Sequence, residues 1–280
     1  SDYTLVKNIT KEIVLTTKGD IAILMPWVWL YGIDHGVEVL FTLMNKIKNI
    51  FQDLHNESDD DGYSYMDGVI LIGHSAGGLV ASLYNYRYNV LPILRLITIG
   101  TPFYGTKKAF NLLQLNTQST DMRWYTYAQT IALANNPKFP IIYDLLPKLD
   151  AHNQIHLNQQ KVDRSNAMKD EIQMALKHDS QSIYPVKKIY IYNVKHMLRR
   201  QQEKQNKTHL GSLTYNGNLL EYPIPDTNNF IYPIFSDGVV DSTIVKEPHS
   251  ITYHIKTNKS HKFLLNDTKL NEGILRRLIR

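Results

Sequence analysis

One stretch constrains this chain more than any other: Val69-Ile70-Leu71-Ile72-Gly73-His74-Ser75-Ala76-Gly77-Gly78. Its four apolar residues, bracketed by Gly68 and Gly73, have the pattern of a central parallel strand buried on both faces. Residues 77–88 then have the apolar pattern of a helix. A strand passing directly into a helix must reverse at Ser75, in a backbone conformation that most side chains avoid. Small residues two before and two after the serine let neighbouring segments pass close by. Gly-x-Ser-x-Gly alone is weak, because both residue types are common. Placed between a buried strand and a helix it is a nucleophile elbow, with the helix N-terminus directing N–H groups and partial positive charge at a developing oxyanion.

The rest of the chain repeats the alternation. Residues 13–15 and 21–25 predict two strands around Lys18-Gly19-Asp20, the second ended by Pro26. Residues 37–54 place Val37, Leu40, Phe41, Met44, Ile47, Ile50, Phe51 and Leu54 at three- and four-residue steps, an amphipathic helix. Further strands are predicted at 93–99, ending at Gly100-Thr101-Pro102, at 188–194, near Val239-Val240 and at 251–255, with a terminal helix at 270–279. This is an α/β order, with a mostly parallel sheet and helices on both faces. A length of 280 residues suits a single domain over 1–280. Between the strand ending at Gly100 and the one starting at Lys188, helical patterns occur at 109–115, 125–133 and 165–178, without a strand pattern. So long an excursion is read as an insertion at about 107–186 forming a helical cap over the site, the alternative being a structural elaboration away from it.

A serine nucleophile needs a base, and the base an orienting carboxylate, in the chain order Ser, Asp, His for this type of elbow. Of eleven histidines, His74 lies inside the elbow, where it points away from Ser75, and only His249, His254 and His261 come late enough. His254 falls within the strand 251–255, whereas His261 follows it in Thr257-Asn258-Lys259-Ser260-His261, which makes His261 the base. For the carboxylate, Asp237 precedes Gly238 in Ser236-Asp237-Gly238-Val239-Val240-Asp241, where a tight loop can present it; Asp241, Asp226 and Asp144 are the alternatives. The chain has no cysteine, which excludes disulfides, thiolate metal sites and cysteine nucleophiles. No metal or organic cofactor is implied.

These residues also resemble a known family, the lecithin:cholesterol acyltransferase and PGAP1-like lipase branch of the α/β hydrolases. The similar islands lie between about residues 21 and 275. They are the elbow through Gly78, then Ile99-Gly100-Thr101-Pro102-Phe103-Tyr104-Gly105-Thr106, and Tyr143-Asp144-Leu145-Leu146-Pro147, similar to a Leu-Leu-Pro element of that family's cap. Ser236-Asp237-Gly238-Val239-Val240 resembles its Gly-Asp-Gly-Thr-Val loop, and Ser260-His261 its histidine loop. The resemblance implies an α/β-hydrolase fold and a serine esterase or lipase acting on a lipid or phospholipid acyl ester. One departure stands out. Where the family has Pro-Gly or His-Gly, this chain has Pro26-Trp27-Val28-Trp29. The oxyanion donors are then the N–H of Ala76 and a backbone amide at Trp27 or Val28, and the indoles of Trp27 and Trp29 are either core or acyl-pocket groups.

Phe110, Leu112, Leu113, Trp124, Tyr125 and Tyr127 give the insertion an apolar, aromatic character that suits a lipid substrate. A small-ester or thioester hydrolase is the second reading, and a catalytically inactive lipid- or protein-binding module of the same fold the third. The net charge of +5 includes basic clusters at Lys187-Lys188, at 195–207 and at Arg276-Arg277 with Arg280. They are read as solvated surface, with peripheral contact to an anionic membrane as the functional alternative. No zinc-finger, helix-turn-helix or RNP-type pattern indicates nucleic acid. The Asn-x-Ser/Thr sequons at Asn8, Asn56, Asn206, Asn258 and Asn266 are read as chance in an Asn-rich chain. Residues 1–12 are polar, without the apolar segment of a secretion signal, and the apolar run 21–32 is too short to span a bilayer. Both a cytoplasmic protein and a fragment of a secreted or translocated one fit these features, so the compartment is left open.

Overall fold

A computed structural model of the chain describes residues 22–57, 68–106, 109, 136, 138–149, 158–177, 187–193, 212–215, 218–221, 235–236, 241–242 and 252–257. After a 3-10 turn at Trp29–Tyr31 the chain forms α1 (Gly32–Glu57), β1 (Val69–His74), α2 (Ala76–Arg87) and β2 (Ile93–Ile99). It continues through a short α3 (Ile141–Asp144), α4 (Gln159–Lys177), β3 (Lys187–Asn193), β4 (Ser212–Tyr215) and β5 (Asn218–Glu221). The last described elements are β6 (Phe235–Ser236), β7 (Asp241–Ser242) and β8 (Thr252–Thr257).

Four of the strands form one parallel sheet in the order β1-β2-β3-β8. Its register aligns His74 with Ile99, Ile99 with Ile191, and Ile191 with Ile255. The carboxyl ends of all four strands therefore lie along one edge, the edge at which α/β sheets hold their ligands. Two antiparallel pairs, β4 with β5 and β6 with β7, complete the described strands. Parallel neighbours need crossovers, and α2 makes the one from β1 to β2.

α2 is buried on several sides because it is packed on the sheet while α1 and α4 lie against it. Leu79, Val80, Ala81, Leu83 and Tyr84 are all buried, as is Ser82, whose hydroxyl donates back to the Gly78 carbonyl at 2.7 Å. On α1 the inward stripe is Ile33, Val37, Leu40 and Met44, the i, i+4, i+7, i+11 spacing of one helix face. On α4 the stripe is Val162, Ser165, Met168, Lys169, Ile172 and Leu176. A lysine in that row is a departure that the packing has to accommodate. Among the described residues no helix is long and apolar enough to cross a membrane.

Two local expectations are corrected. Residues 22–28 form no strand and pair with none of the described ones; Ile23 is 53% exposed, and Pro26 lacks the N–H that a ladder needs. α1 begins at Gly32, one and a half turns before the apolar periodicity predicts, and takes Gly36 into its interior. The reason is tertiary. Asp144, from far along the chain, accepts the Ile33 N–H at 2.9 Å and so caps the first turn. Gly36 meanwhile faces Trp27 and Val80, where an added Cβ would lie 2.6 Å from Val80 Cγ2 and 2.9 Å from Trp27 Cε3.

Candidate active site

β1 ends at His74 and α2 begins at Ala76, which leaves Ser75 alone to turn the chain. Ser75 does so at φ 52° and ψ −126°, the only positive φ of a non-glycine among the described residues. A side chain in that region costs on the order of 1–3 kcal/mol and persists only where its surroundings enforce it. The surroundings here are backbone. The Ser75 N–H donates to the Ile99 carbonyl of the neighbouring strand at 2.9 Å, and the Gly78 N–H donates to the Ser75 carbonyl at 3.0 Å. The Ala76 N–H opens the helix and has no intrahelical acceptor. It directs the positive end of the helix toward the sheet's carboxyl edge.

The glycines divide the steric requirement unevenly. A Cβ on Gly73 would lie 2.5 Å from the Gly77 carbonyl oxygen and 2.6 Å from Gly78 Cα, so the strand and the first helical turn pass within backbone contact. A Cβ on Gly77 would meet no described atom within 4 Å. The second close approach belongs instead to Gly78, where a Cβ would collide with Thr101 Oγ1 and lie 2.8 Å from both Thr101 Cβ and Cγ2. The elbow glycine expected two residues after the serine is thus displaced by one in its packing role.

Thr101 opens the segment Thr101-Pro102-Phe103-Tyr104-Gly105-Thr106 after β2, and this segment folds against Leu145-Leu146-Pro147. The Thr106 N–H donates to the Leu145 carbonyl at 2.7 Å, and a Cβ on Gly105 (φ 88°) would run into the Leu146–Pro147 backbone. Two sequence islands far apart in the chain therefore form one packed unit, which carries the contact from the elbow to α3.

Asp144, at the end of α3, was one alternative for the triad carboxylate. It is almost completely buried, and its carboxylate caps α1 through Ile33 and lies 3.8 Å from Arg164. Burial raises its pKa above the usual aspartate value, against the opposing pull of the Ile33 N–H and Arg164. Below it, the buried Lys169 ammonium donates to the Asp144 backbone carbonyl at 2.5 Å. Burial lowers the Lys169 pKa to about 8, and the nearby Asp144 charge partly opposes this. Arg164 also reaches Asp34 of α1 at 2.9 Å. Asp34 accepts from Arg87 of α2 at 2.9 Å, and Arg87 grips Glu171 of α4 with two bonds of 2.6 Å. These charges join α1, α2, α3 and α4. Sequence reading missed Lys169, although a lysine in register with Val162, Ile172 and Leu176 is a visible signal of a buried cation.

Ser75 and Ala76 lie together at the turn. Trp27 is partly buried against the core, its ring beside Gly36, which is a core position for the indole. Val28 is 51% exposed, and its carbonyl accepts the Tyr31 N–H at 3.0 Å. Asp237 and His261 lie outside the described residues, as do the basic clusters at 195–207 and 276–280. The described neighbours of Asp237 are β6 and β7, in which Ser236 pairs with Asp241, and β8 ends at Thr257, shortly before His261 in sequence. Among the described residues no group of three His, Asp or Glu side chains is arranged to hold a metal.

No protein-family model and no curated protein sequence matches this chain. Among solved structures it is similar to the mature Bacillus licheniformis lipase BlEst2, at 15% identity and a TM-score of 0.44, over 88% of this chain and 74% of that one. It is also similar to EstA from Clostridium botulinum, at 14% identity and a TM-score of 0.29, over 75% of this chain and 63% of that one. At such identities the chemistry of this chain rests on its own residues.

Proposed function

We propose that this protein is an α/β-hydrolase that cleaves carboxylic esters with Ser75 as nucleophile, His261 as base and Asp237 as the carboxylate that orients it. The carrying observation is Ser75 held at φ 52° between β1 and α2, on the carboxyl edge of a parallel sheet. A strained serine at that position is what a nucleophile elbow requires. Chain reach supports His261. β8 lies three strand spacings from β1, roughly 14 Å at ~4.8 Å each. Four residues from Thr257 to His261 extend up to ~14 Å, before the imidazole adds its own length.

In the reaction, Ser75 Oγ attacks the ester carbonyl carbon while His261 takes the hydroxyl proton. The Ala76 N–H and a backbone N–H of Trp27 or Val28 hold the oxyanion. The intermediate collapses, the alcohol leaves with the proton from His261, and an acyl-enzyme remains. Water, deprotonated by His261, then releases the carboxylic acid and restores Ser75. The substrate class is a lipid or phospholipid acyl ester. Val28, Trp29 and Tyr31 support that class, because they leave an exposed apolar stretch beside the segment that supplies the oxyanion donor.

A fluorophosphonate with the full-length protein tests the nucleophile. One adduct at Ser75 is expected, together with p-nitrophenyl ester turnover that Ser75→Ala or His261→Ala reduces by on the order of 10⁴-fold. A folded protein with no adduct at Ser75 would leave only a binding module. An acyl-length and head-group series then tests the substrate. Preference for acetyl over octanoyl esters gives the small-ester reading, and faster turnover on vesicles, increased by anionic lipid and reduced by salt, gives the membrane-associated lipase.

A further inference from the structure

Thr101, two residues beyond the end of β2, packs against the first turn of the elbow helix. Its side chain lies against Gly78 in the first turn of α2, so closely that no Cβ fits on Gly78. Gly78 is itself tied to the nucleophile, its N–H donating to the Ser75 carbonyl at 3.0 Å. On the other side, Ser75 N–H is bound to Ile99, two residues before Thr101 on the same strand end. The strained serine is thus held between two attachments to one segment: a hydrogen bond at Ile99 and a steric stop at Thr101. The Thr101 hydroxyl is buried and makes no hydrogen bond among the described residues. What the described residues show Thr101 offering the elbow is therefore the shape of its branched side chain against Gly78.

We propose that Thr101 is a positioning residue that, by packing against Gly78, sets the height of the first turn of α2 and with it the direction of the Ala76 N–H toward the oxyanion. This rests on Ser75 being the nucleophile. Because the α2 turn must hold a charge that exists only in the transition state, loosening it lowers kcat and the rate of fluorophosphonate labelling while leaving KM nearly unchanged. The contact is also reciprocal, so bulk added on one side is relieved by bulk removed from the other.

The test is a set of variants of the full chain, each checked for folding by thermal unfolding. Wild-type labelling at Ser75 comes first, since a wild type that does not label sinks the hydrolase reading and not this contact. Given labelling, Gly78→Ala is expected to slow it and kcat by at least tenfold, and Gly78→Ala with Thr101→Gly to recover most of that loss. If Gly78→Ala fails to fold, Thr101→Ala and Thr101→Val decide. Alanine is expected to lower kcat severalfold at constant KM, with valine, which keeps the branched shape, retaining clearly more activity than alanine. A double variant no faster than a folded Gly78→Ala overturns the proposal. Valine as poor as alanine overturns it too, because the hydroxyl and not the shape would then be at work.

Discussion

The elbow and the charged cluster between α1 and α4 both hold backbone in place, by opposite means. At the elbow nothing long is used. Gly73 and Gly78 let backbone touch backbone and Thr101, and hydrogen bonds from Ser75 and Gly78 lock the turn. In the cluster, Lys169, Arg164, Arg87 and Glu171 span the gaps between helices with long side chains that meet one another, Asp34 and Asp144, part of them buried. A contact made by backbone tolerates no added atom. A contact made by charge tolerates rearrangement but not the loss of one partner. The first arrangement suits a turn whose geometry must not vary, and the second suits fastening helices from distant parts of the chain to one another.

Substitutions break the two regions differently. Gly73→Ala is expected to be the most damaging, costing about 4 kcal/mol or preventing folding, because the methyl meets backbone at 2.5 and 2.6 Å and not a side chain that can turn away. Urea unfolding measures it, and a cost below ~1 kcal/mol would mean that the strand and helix are not in contact. Asp144→Ala should cost about 3 kcal/mol, since it uncaps α1 at Ile33 and removes the negative charge facing Arg164 and the buried Lys169. Asp144→Asn, which keeps an acceptor for Ile33, should lose less in the same measurement.

Lys169 gives the cluster a pH signature. Its folded pKa of about 8 lies below the 10.5 of an unhindered lysine. Between those values the unfolded chain still binds a proton that the folded chain has released, so this lysine's contribution to stability rises with pH. Measured against Lys169→Met from pH 7.5 to 10.5, the wild type should gain on the order of 2–3 kcal/mol. A difference independent of pH would show that Lys169 is not desolvated. The smallest effect belongs to the elbow again. Gly77→Ala meets no described atom and lies inside α2, so it should raise stability by roughly 0.5–1 kcal/mol through helix propensity. If it destabilises as Gly73→Ala does, the division of labour between Gly77 and Gly78 is wrong.

The sequence by itself determined what is local and repeated. An apolar run flanked by glycines, followed by a serine and a helical pattern, is enough to locate β1, Ser75 and α2, because turn and helix signals are carried by adjacent residues. β2, β3 and β8 were legible within two residues for the same reason. The run does not give the burial: β1 lies at the edge of the described sheet with Ile72 exposed, and is not covered on both faces as the run predicts. The tertiary structure decided whatever depends on a partner far along the chain. It starts α1 at Gly32 because Asp144 supplies the cap, ties the Asp144 carboxylate to Ile33 and Arg164, and leaves residues 22–28 outside the sheet. It moves the steric demand from Gly77 to Gly78 because Thr101 lies across from it, and it buries Lys169 because the Asp144 carbonyl is there to accept its hydrogen bond. Periodicity records which face of an element is covered. Which atom covers it is fixed only when distant segments are brought to van der Waals distance.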